Sequence, residues 1–161
     1  MNRREFNWSI TRLVAAGLVF APCGALLSAC GGGQADETQA TAADPATYTV
    51  NGSGQLVINL ALETGLSSSG SFIRKTYVGF NGGRGVLIVR TGTSQFHAMS
   101  IVCPHAGSLI DPPLGAKATC PRHGAEFSIS PSNFGANIGG QSSSSATTFS
   151  AAESGGSLTV S

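Results

Sequence analysis

Two short stretches, CPHAGS at residues 103–108 and CPRHGAEF at residues 120–127, decide how this sequence is interpreted. Each places a histidine shortly after a cysteine, as C-x-H in the first stretch and as C-x-x-H in the second. A proline follows each cysteine directly, which fixes φ at the proline and favours extended geometry at the cysteine. Two stiff loops that each carry a thiol and an imidazole suggest a site built to hold a ligand.

The spacing indicates which side chains can meet. Residues i and i+2 of an extended segment point to the same side, so Cys103 and His105 can face one site from one loop. Cys120 and His123 can do the same from a tight turn. Fourteen residues separate His105 from Cys120, which is enough to return the second loop beside the first. The pattern therefore predicts one site with two thiolates and two imidazoles.

The apolar segments around these loops are short and often end in Gly, Ser or Asn, which is typical of β-strands. The predicted strands are Leu56–Leu62, Ser71–Val78, Gly85–Thr91, Gln95–Val102, Glu126–Ser130, Thr147–Ala151 and Ser157–Val160. The turns Thr91–Ser94 and Ser154–Gly156 would join neighbouring strands into hairpins. No segment has a long 3.6-residue period with capping residues, so the sequence predicts an all-β domain.

The N-terminal residues have the pattern of an export signal. Arg3 and Arg4, followed by Phe6, resemble a twin-arginine signal. The uncharged apolar run at residues 13–27 has fifteen residues, fewer than the ~20 that a membrane span needs. Its length is typical of the central region of a signal peptide.

The apolar run ends in LSAC, which resembles a bacterial lipobox with Cys30 as the lipidated first residue of the mature chain. An ordinary cleaved signal and an uncleaved N-terminal anchor are the alternatives. We interpret residues 1–29 as a twin-arginine lipoprotein signal peptide. Residues 30–46 would be the lipidated cysteine and a flexible linker, because they are rich in Gly, Ala and polar residues. Acyl chains on Cys30 would attach the protein to a membrane without a span.

Composition excludes some functions and leaves others open. Nine basic residues face eight acidic ones in 161 residues, and three of the basic residues lie in the predicted signal. A nearly neutral mature chain without a basic patch argues against nucleic-acid binding. Beyond residue 30 the only cysteines are Cys103 and Cys120. In an oxidising compartment such a pair can form a disulfide, so that reading stays open here.

C-x-H followed by C-x-x-H, with glycine after the second histidine, resembles the Rieske 2Fe–2S motif. CPHAG and CPRHGAEF are similar to the pattern in Rieske ferredoxins, and the upstream GVLIVRTGTSQFHAMSIVCPH is similar to the strand pair that leads into the first Rieske loop. The resemblance implies a Rieske-type fold of short antiparallel sheets over residues 47–161. A cluster-binding subdomain formed by two loops would lie at about residues 95–130.

The same resemblance implies a cofactor and its ligands. One 2Fe–2S cluster per chain would be held with Cys103 and Cys120 on one iron and with His105 and His123 on the other. Such a protein transfers one electron and needs no substrate site of its own. Its expected partners are redox proteins, namely a cytochrome, a quinol-oxidising complex or the large subunit of an oxidase. Twin-arginine export carries folded protein, which suits a cluster inserted in the cytoplasm and a protein that faces the periplasm from the membrane.

Other functions are compatible with parts of this pattern. The chain could be the iron–sulfur subunit of a quinol–cytochrome c reductase, or of a periplasmic oxidase such as the arsenite oxidase type. The four ligands could instead form a structural zinc site, although C-x-H is unusual there. A disulfide-bonded binding module is a further alternative. A Rieske oxygenase also needs a mononuclear iron site, and His97 is the only histidine outside the two stretches.

The sequence also departs from the Rieske pattern. Rieske subunits of cytochrome bc-type complexes carry an extra cysteine pair between the loops, and Ser108 and Arg122 stand at those positions here. Ala125 and Phe127 stand where those subunits often have hydroxyl side chains that donate to cluster sulfur. Fewer donors predict a lower reduction potential. The family's third, proline-bearing loop is not evident near residues 134–145.

Overall fold

The structure, a computed structural model, describes residues 39–161. The predicted signal peptide, Cys30 and the first part of the predicted linker lie outside the described residues. The described part is all-β, with twelve short strands and four 3-10 helices of three residues each. No helix within this range is long and apolar enough to cross a membrane.

The strands form three sheets. The five-stranded sheet has the order β1 (Thr41–Ala42), β4 (Phe72–Thr76), β5 (Val86–Arg90), β6 (Phe96–Ser100) and β10 (Thr148–Phe149). The four-stranded sheet has the order β11 (Ala151–Ser154), β12 (Ser157–Val160), β3 (Leu56–Asn59) and β2 (Tyr48–Val50). The three-stranded sheet has the order β7 (Lys117–Thr119), β8 (Glu126–Ser128) and β9 (Asn137–Gly139). All paired strands are antiparallel except β1 and β4, which run parallel.

The five-stranded sheet is buried on both faces, and β5 shows this most clearly. Val86 and Ile88 belong to a first apolar core, which the four-stranded sheet completes. Leu87 and Val89, which point to the opposite face, belong to a second core. A strand that is apolar on both faces reads as a continuous hydrophobic run, as GVLIVR does.

The second core joins the five-stranded sheet to a small lobe, which we define as residues 101–146. The lobe contains the three-stranded sheet and the two stretches that carry cysteine and histidine. The buried residues of the second core include both cysteines, so the predicted site is packed into the interior of the domain. The core consists of Leu87, Val89, Met99, Ile101, Cys103, Ile110, Ala118, Cys120, Ala125, Phe127 and Ala146.

The predicted strands with clear apolar patterns are observed, most with shorter bounds and Ser157–Val160 with the predicted bounds. The hairpin turn after β5 closes through Thr91 N, which donates to Gln95 O at 2.8 Å. The predicted strand at 147–151 is instead two strands, because the chain leaves the five-stranded sheet at Ser150 and enters the four-stranded one. Four short strands had no sequence prediction: β1, β2, β7 and β9.

The start of the folded region also differs from the sequence interpretation, which assigned residues 30–46 to a flexible linker. Thr41–Ala42 pairs with β4, Ala43 is buried, and Asp44 caps the 3-10 helix Pro45–Thr47. These residues are polar or small, so their sequence resembles a linker. Their structure comes from pairing with β4, more than thirty residues away along the chain.

Candidate metal centre

The two cysteine loops have the same backbone design. In loop 1 (residues 103–108) the Cys103 N–H donates to Ser108 O at 2.8 Å, and Gly107 N–H donates to Cys103 O at 2.9 Å. Loop 2 (residues 120–125) has the same two bonds. The Cys120 N–H donates to Ala125 O at 2.8 Å, and the Gly124 N–H donates to Cys120 O at 3.0 Å. Glycine at the fifth position has φ of 72° in loop 1 and 69° in loop 2. A side chain there would be strained, so both loops need glycine.

Loop 1 and loop 2 bring the two cysteines together beneath the surface. Cys103 and Cys120 are each only 1% exposed, and neither is in a disulfide. Both thiols belong to the second core, and the Cys103 thiol acts directly on the pKa of Cys120. The backbone N–H groups of Arg122 and His123 also donate to the Cys120 sulfur. The cysteines thus form one pair of free thiols in the second core.

The two histidines form a second pair at the surface. His105 and His123 are both exposed, and their Nδ1 atoms lie 3.1 Å apart. Their ring centroids are 4.7 Å apart, with an angle of 67° between the ring planes. The structure therefore places the four residues that the sequence selected in two pairs, a buried thiol pair and an exposed imidazole pair.

The Cys120 thiol resists ionisation in this environment. Burial raises the pKa of Cys120 to about 11, and the hydrogen bond with Cys103 acts in the same direction. The backbone donors from Arg122 and His123 oppose this shift because they stabilise a thiolate. The net shift is upward, so the Cys120 thiol stays neutral near pH 7 in the apoprotein.

Residues 67–137 match the family described as the Rieske 2Fe-2S domain. They contain all four clustered side chains. This part of the chain is a Rieske domain. The cofactor that such a domain indicates is a 2Fe–2S cluster.

Solved Rieske structures resemble the chain in fold. The cyanobacterial plasma membrane Rieske protein PetC3 from Synechocystis PCC 6803 is 25% identical, with a TM-score of 0.45, and the match covers 56% of this chain and 85% of PetC3. The ferredoxin of carbazole 1,9a-dioxygenase from Nocardioides aromaticivorans IC177 is 21% identical, with a TM-score of 0.47, and the match covers 65% and 96% of the two chains. No curated protein sequence gives a significant match.

Larger enzymes also contain a similar region. The quaternary ammonium Rieske monooxygenase CntA is 20% identical, with a TM-score of 0.47. The match covers 60% of this chain but only 29% of the monooxygenase. The similarity to CntA is therefore limited to a minor part of that enzyme.

The donor set of the Rieske domain fits a 2Fe–2S cluster. Two thiols and two imidazoles are the donors that a Rieske cluster uses. They are divided into two pairs, and no three His, Cys, Asp or Glu side chains among residues 39–161 converge on a single metal ion. A bound cationic group would lower the raised pKa of the Cys120 thiol, because a metal favours the thiolate.

Contacts between segments support the loops. Arg122 Nη1 of loop 2 donates to the buried Ser108 Oγ of loop 1 at 3.5 Å. These are the two positions at which the bc-type disulfide is missing. The backbone of Gly140 packs directly on loop 2, because an added Cβ would lie 1.9 Å from Gly124 O. The stretch at residues 134–145 lacks the expected proline, yet it contacts loop 2.

The other polar residues noted in the sequence lie outside the two pairs. His97 stacks on Phe134 with ring centroids 5.1 Å apart, and it is half-buried in β6. Glu126 forms an ion pair with Lys117 across β7 and β8. Arg74 and Gly140 could not be selected from local sequence, because their importance depends on contacts with residues distant in the chain.

Proposed function

We propose that this protein is a membrane-tethered periplasmic redox protein that transfers single electrons through a Rieske 2Fe–2S cluster. The ligands would be Cys103, Cys120, His105 and His123. The observation that carries the proposal is that the same two loops carry two free, buried thiols and two exposed imidazoles whose Nδ1 atoms lie 3.1 Å apart. The cluster, when bound, supplies a site that accepts and releases one electron.

The chain's own residues divide the remaining tasks. Cys103 and Cys120 would hold the cluster from inside the second core, where burial keeps bulk water from the sulfur atoms. His105 and His123 would hold it from the surface, where a partner protein can approach the imidazole edges. Neutral imidazoles leave the site less negative than four thiolates would, which favours electron uptake.

The test is spectroscopic and analytical. Full-length protein from bacteria that build iron–sulfur clusters should contain two irons and two acid-labile sulfides per chain. After dithionite reduction it should give a rhombic Rieske-type EPR signal. His105→Ala should abolish this signal, whereas His97→Ala should retain it, because His97 lies outside the site. A wild-type protein that contains zinc, or that lacks iron and sulfide, would contradict the proposal.

The membrane tether is a separate part of the proposal. Its support is the twin-arginine pattern and the LSAC sequence that ends at Cys30. Cys30→Ser should release the protein from the membrane fraction, whereas Cys23→Ser should leave it there. Lys substitutions at both Arg3 and Arg4 should keep the cluster-loaded protein in the cytoplasm. Unchanged fractionation of Cys30→Ser would contradict a tether that depends on lipidation at that residue.

We further propose that the electron donor and acceptor are other proteins that dock at the exposed histidine pair. His105→Cys with a bulky maleimide label would block that surface, but it would also remove a ligand. Ala106 is the better site, because it is exposed and lies between His105 and Gly107. A label on Ala106→Cys should slow electron transfer to any partner without changing the EPR signal. A label on Ser53→Cys, an exposed position in the turn between β2 and β3, should not slow it.

A further inference from the structure

One short segment holds both cysteine loops in place. Ile110 N–H donates to Ile101 O at 2.7 Å, and Ile101 lies two residues before Cys103. Asp111 N–H donates to Thr119 O at 2.8 Å, and Thr119 directly precedes the other cysteine. The segment Ile110–Asp111 therefore lies between the two chain portions that deliver the thiols. It is hydrogen-bonded to both of them.

A buried arginine from a different sheet binds this segment. Arg74 lies in β4, and its Nε donates to Ile110 O at 2.9 Å. Arg74 is only 8% exposed, and it stands opposite Leu87 in the strand pairing, on the sheet face that meets the small lobe. Burying a guanidinium is costly unless it is hydrogen-bonded and compensated. The bond to Ile110 O is thus a link from the five-stranded sheet to the segment that separates the loops.

The compensating charge comes from the same segment. Burial lowers the pKa of Arg74, and the negative charge of Asp111 opposes that shift. Among residues 39–161, neither Arg74 Nη2 nor Asp111 Oδ1 has a hydrogen-bond partner, and both atoms are buried. Removing one partner of a buried charge pair leaves the other charge uncompensated, so the contact between Arg74 and the segment depends on both charges.

We propose that Arg74 is a positioning residue. It holds the segment Ile110–Asp111 in the place from which the segment keeps Cys103 and Cys120 next to each other. For the purpose of holding a cluster, this inference rests on the proposed function. The juxtaposition of the two thiols is a property of the apoprotein and can be measured without the cluster.

The test compares Arg74→Met with wild type in two experiments. In the first, the apoprotein is equilibrated with reduced and oxidised glutathione. Each chain that forms the Cys103–Cys120 disulfide converts one oxidised glutathione into two reduced ones, so the equilibrium reports the effective concentration of one thiol at the other. Because a hydrogen bond from a charged donor is lost, we expect this concentration to fall on the order of tenfold. In the second, the loaded protein should lose its cluster to a chelator faster by a similar factor, with a broadened EPR signal.

Three variants separate positioning from general stability. Arg84→Met removes an exposed arginine and should match wild type in both experiments. Ile73→Ala creates a cavity in the first core beside Arg74, so it should lower the melting temperature without changing the glutathione equilibrium. Arg74→Lys keeps the charge but lacks the Nε atom that bonds Ile110 O, so it should show the same two changes as Arg74→Met. It provides the test if Arg74→Met does not fold.

The outcomes are distinct. Arg74→Met and Arg74→Lys with the thiol equilibrium and the cluster-loss rate of wild type would overturn the inference. So would an Ile73→Ala variant that shifts both by as much as the Arg74 variants do. A wild-type protein that never acquires iron and sulfide would overturn the proposed function, while the glutathione experiment would still decide the role of Arg74.

Discussion

Gly140 offers a sharp test of how the small lobe supports loop 2. It follows β9 with φ of +76°, a conformation that favours glycine. A Cβ added there would lie 1.9 Å from Gly124 O, 2.4 Å from Gly124 C and 2.6 Å from Ala125 Cα. Real Cβ atoms keep at least 3.0 Å, so Gly140→Ala must push the two backbones apart by about 1.1 Å.

Gly156 provides the matched control. Its φ is +78°, almost the same as that of Gly140, but an added Cβ would meet nothing within 4 Å. Left-handed geometry alone costs an alanine about 1–2 kcal/mol, so Gly156→Ala should lose about that much unfolding free energy. Gly140→Ala adds overpacking, which typically costs about 1–3 kcal/mol. The difference between the two variants is therefore the energy of the contact with loop 2.

The displacement also has a local consequence. Ala125 O accepts the Cys120 N–H bond at 2.8 Å, and a shift of about 1.1 Å would carry it beyond hydrogen-bonding distance. Denaturant unfolding of both apoproteins gives their unfolding free energies. The rate at which a chelator removes the cluster reports how well loop 2 keeps its conformation. Gly140→Ala should lose its cluster faster than Gly156→Ala. Equal unfolding energies and equal loss rates for the two variants would refute the reasoning.

Three further predictions concern charge and potential. Because the folded pKa of Cys120 is raised to about 11 from 9.0, its neutral thiol contributes stability that is fully present below pH 9 and is lost as the pH rises toward 11. Denaturant unfolding of the apoprotein across this range should show that loss, and Cys120→Ser should reduce it. Glu126→Gln breaks the partly exposed pair with Lys117 and should change the unfolding free energy by less than about 1 kcal/mol, which a larger loss would contradict. Because Ala125 and Phe127 lack hydroxyls, protein-film voltammetry should give a potential in the lower half of the roughly −150 to +300 mV Rieske range.

Local sequence was sufficient to predict the strands whose own residues show an apolar, β-branched or aromatic pattern. GVLIVR and its partner QFHAMSIV are apolar, β-branched or aromatic in short runs, and they form β5 and β6 with the predicted turn between them. The cysteine and histidine spacing was also sufficient to select four residues that the fold brings together as two pairs. In both cases the informative residues lie within a few positions of one another.

The remaining features depend on residues that are distant in the chain. β1 is two residues long and exists because it pairs with β4. Arg74 is a polar residue in a strand, which usually indicates a solvent-facing position, but its partner Ile110 lies 36 residues further on. Gly140 sits in a glycine- and serine-rich stretch that reads as a loop, and only the approach of loop 2 makes its lack of a side chain necessary.

The five-stranded sheet has a consequence for how this protein can move. Its β5 strand contributes Val86 and Ile88 to one core and Leu87 and Val89 to the other, so the same strand closes both. If the small lobe swung away from the sheet, the face with Leu87 and Val89 would enter water, at about 25 cal/mol for each Å² of apolar surface exposed. The small lobe is therefore not expected to move as a separate body about a hinge. Any large excursion that carries His105 and His123 toward a partner has to be made by the domain as a rigid whole.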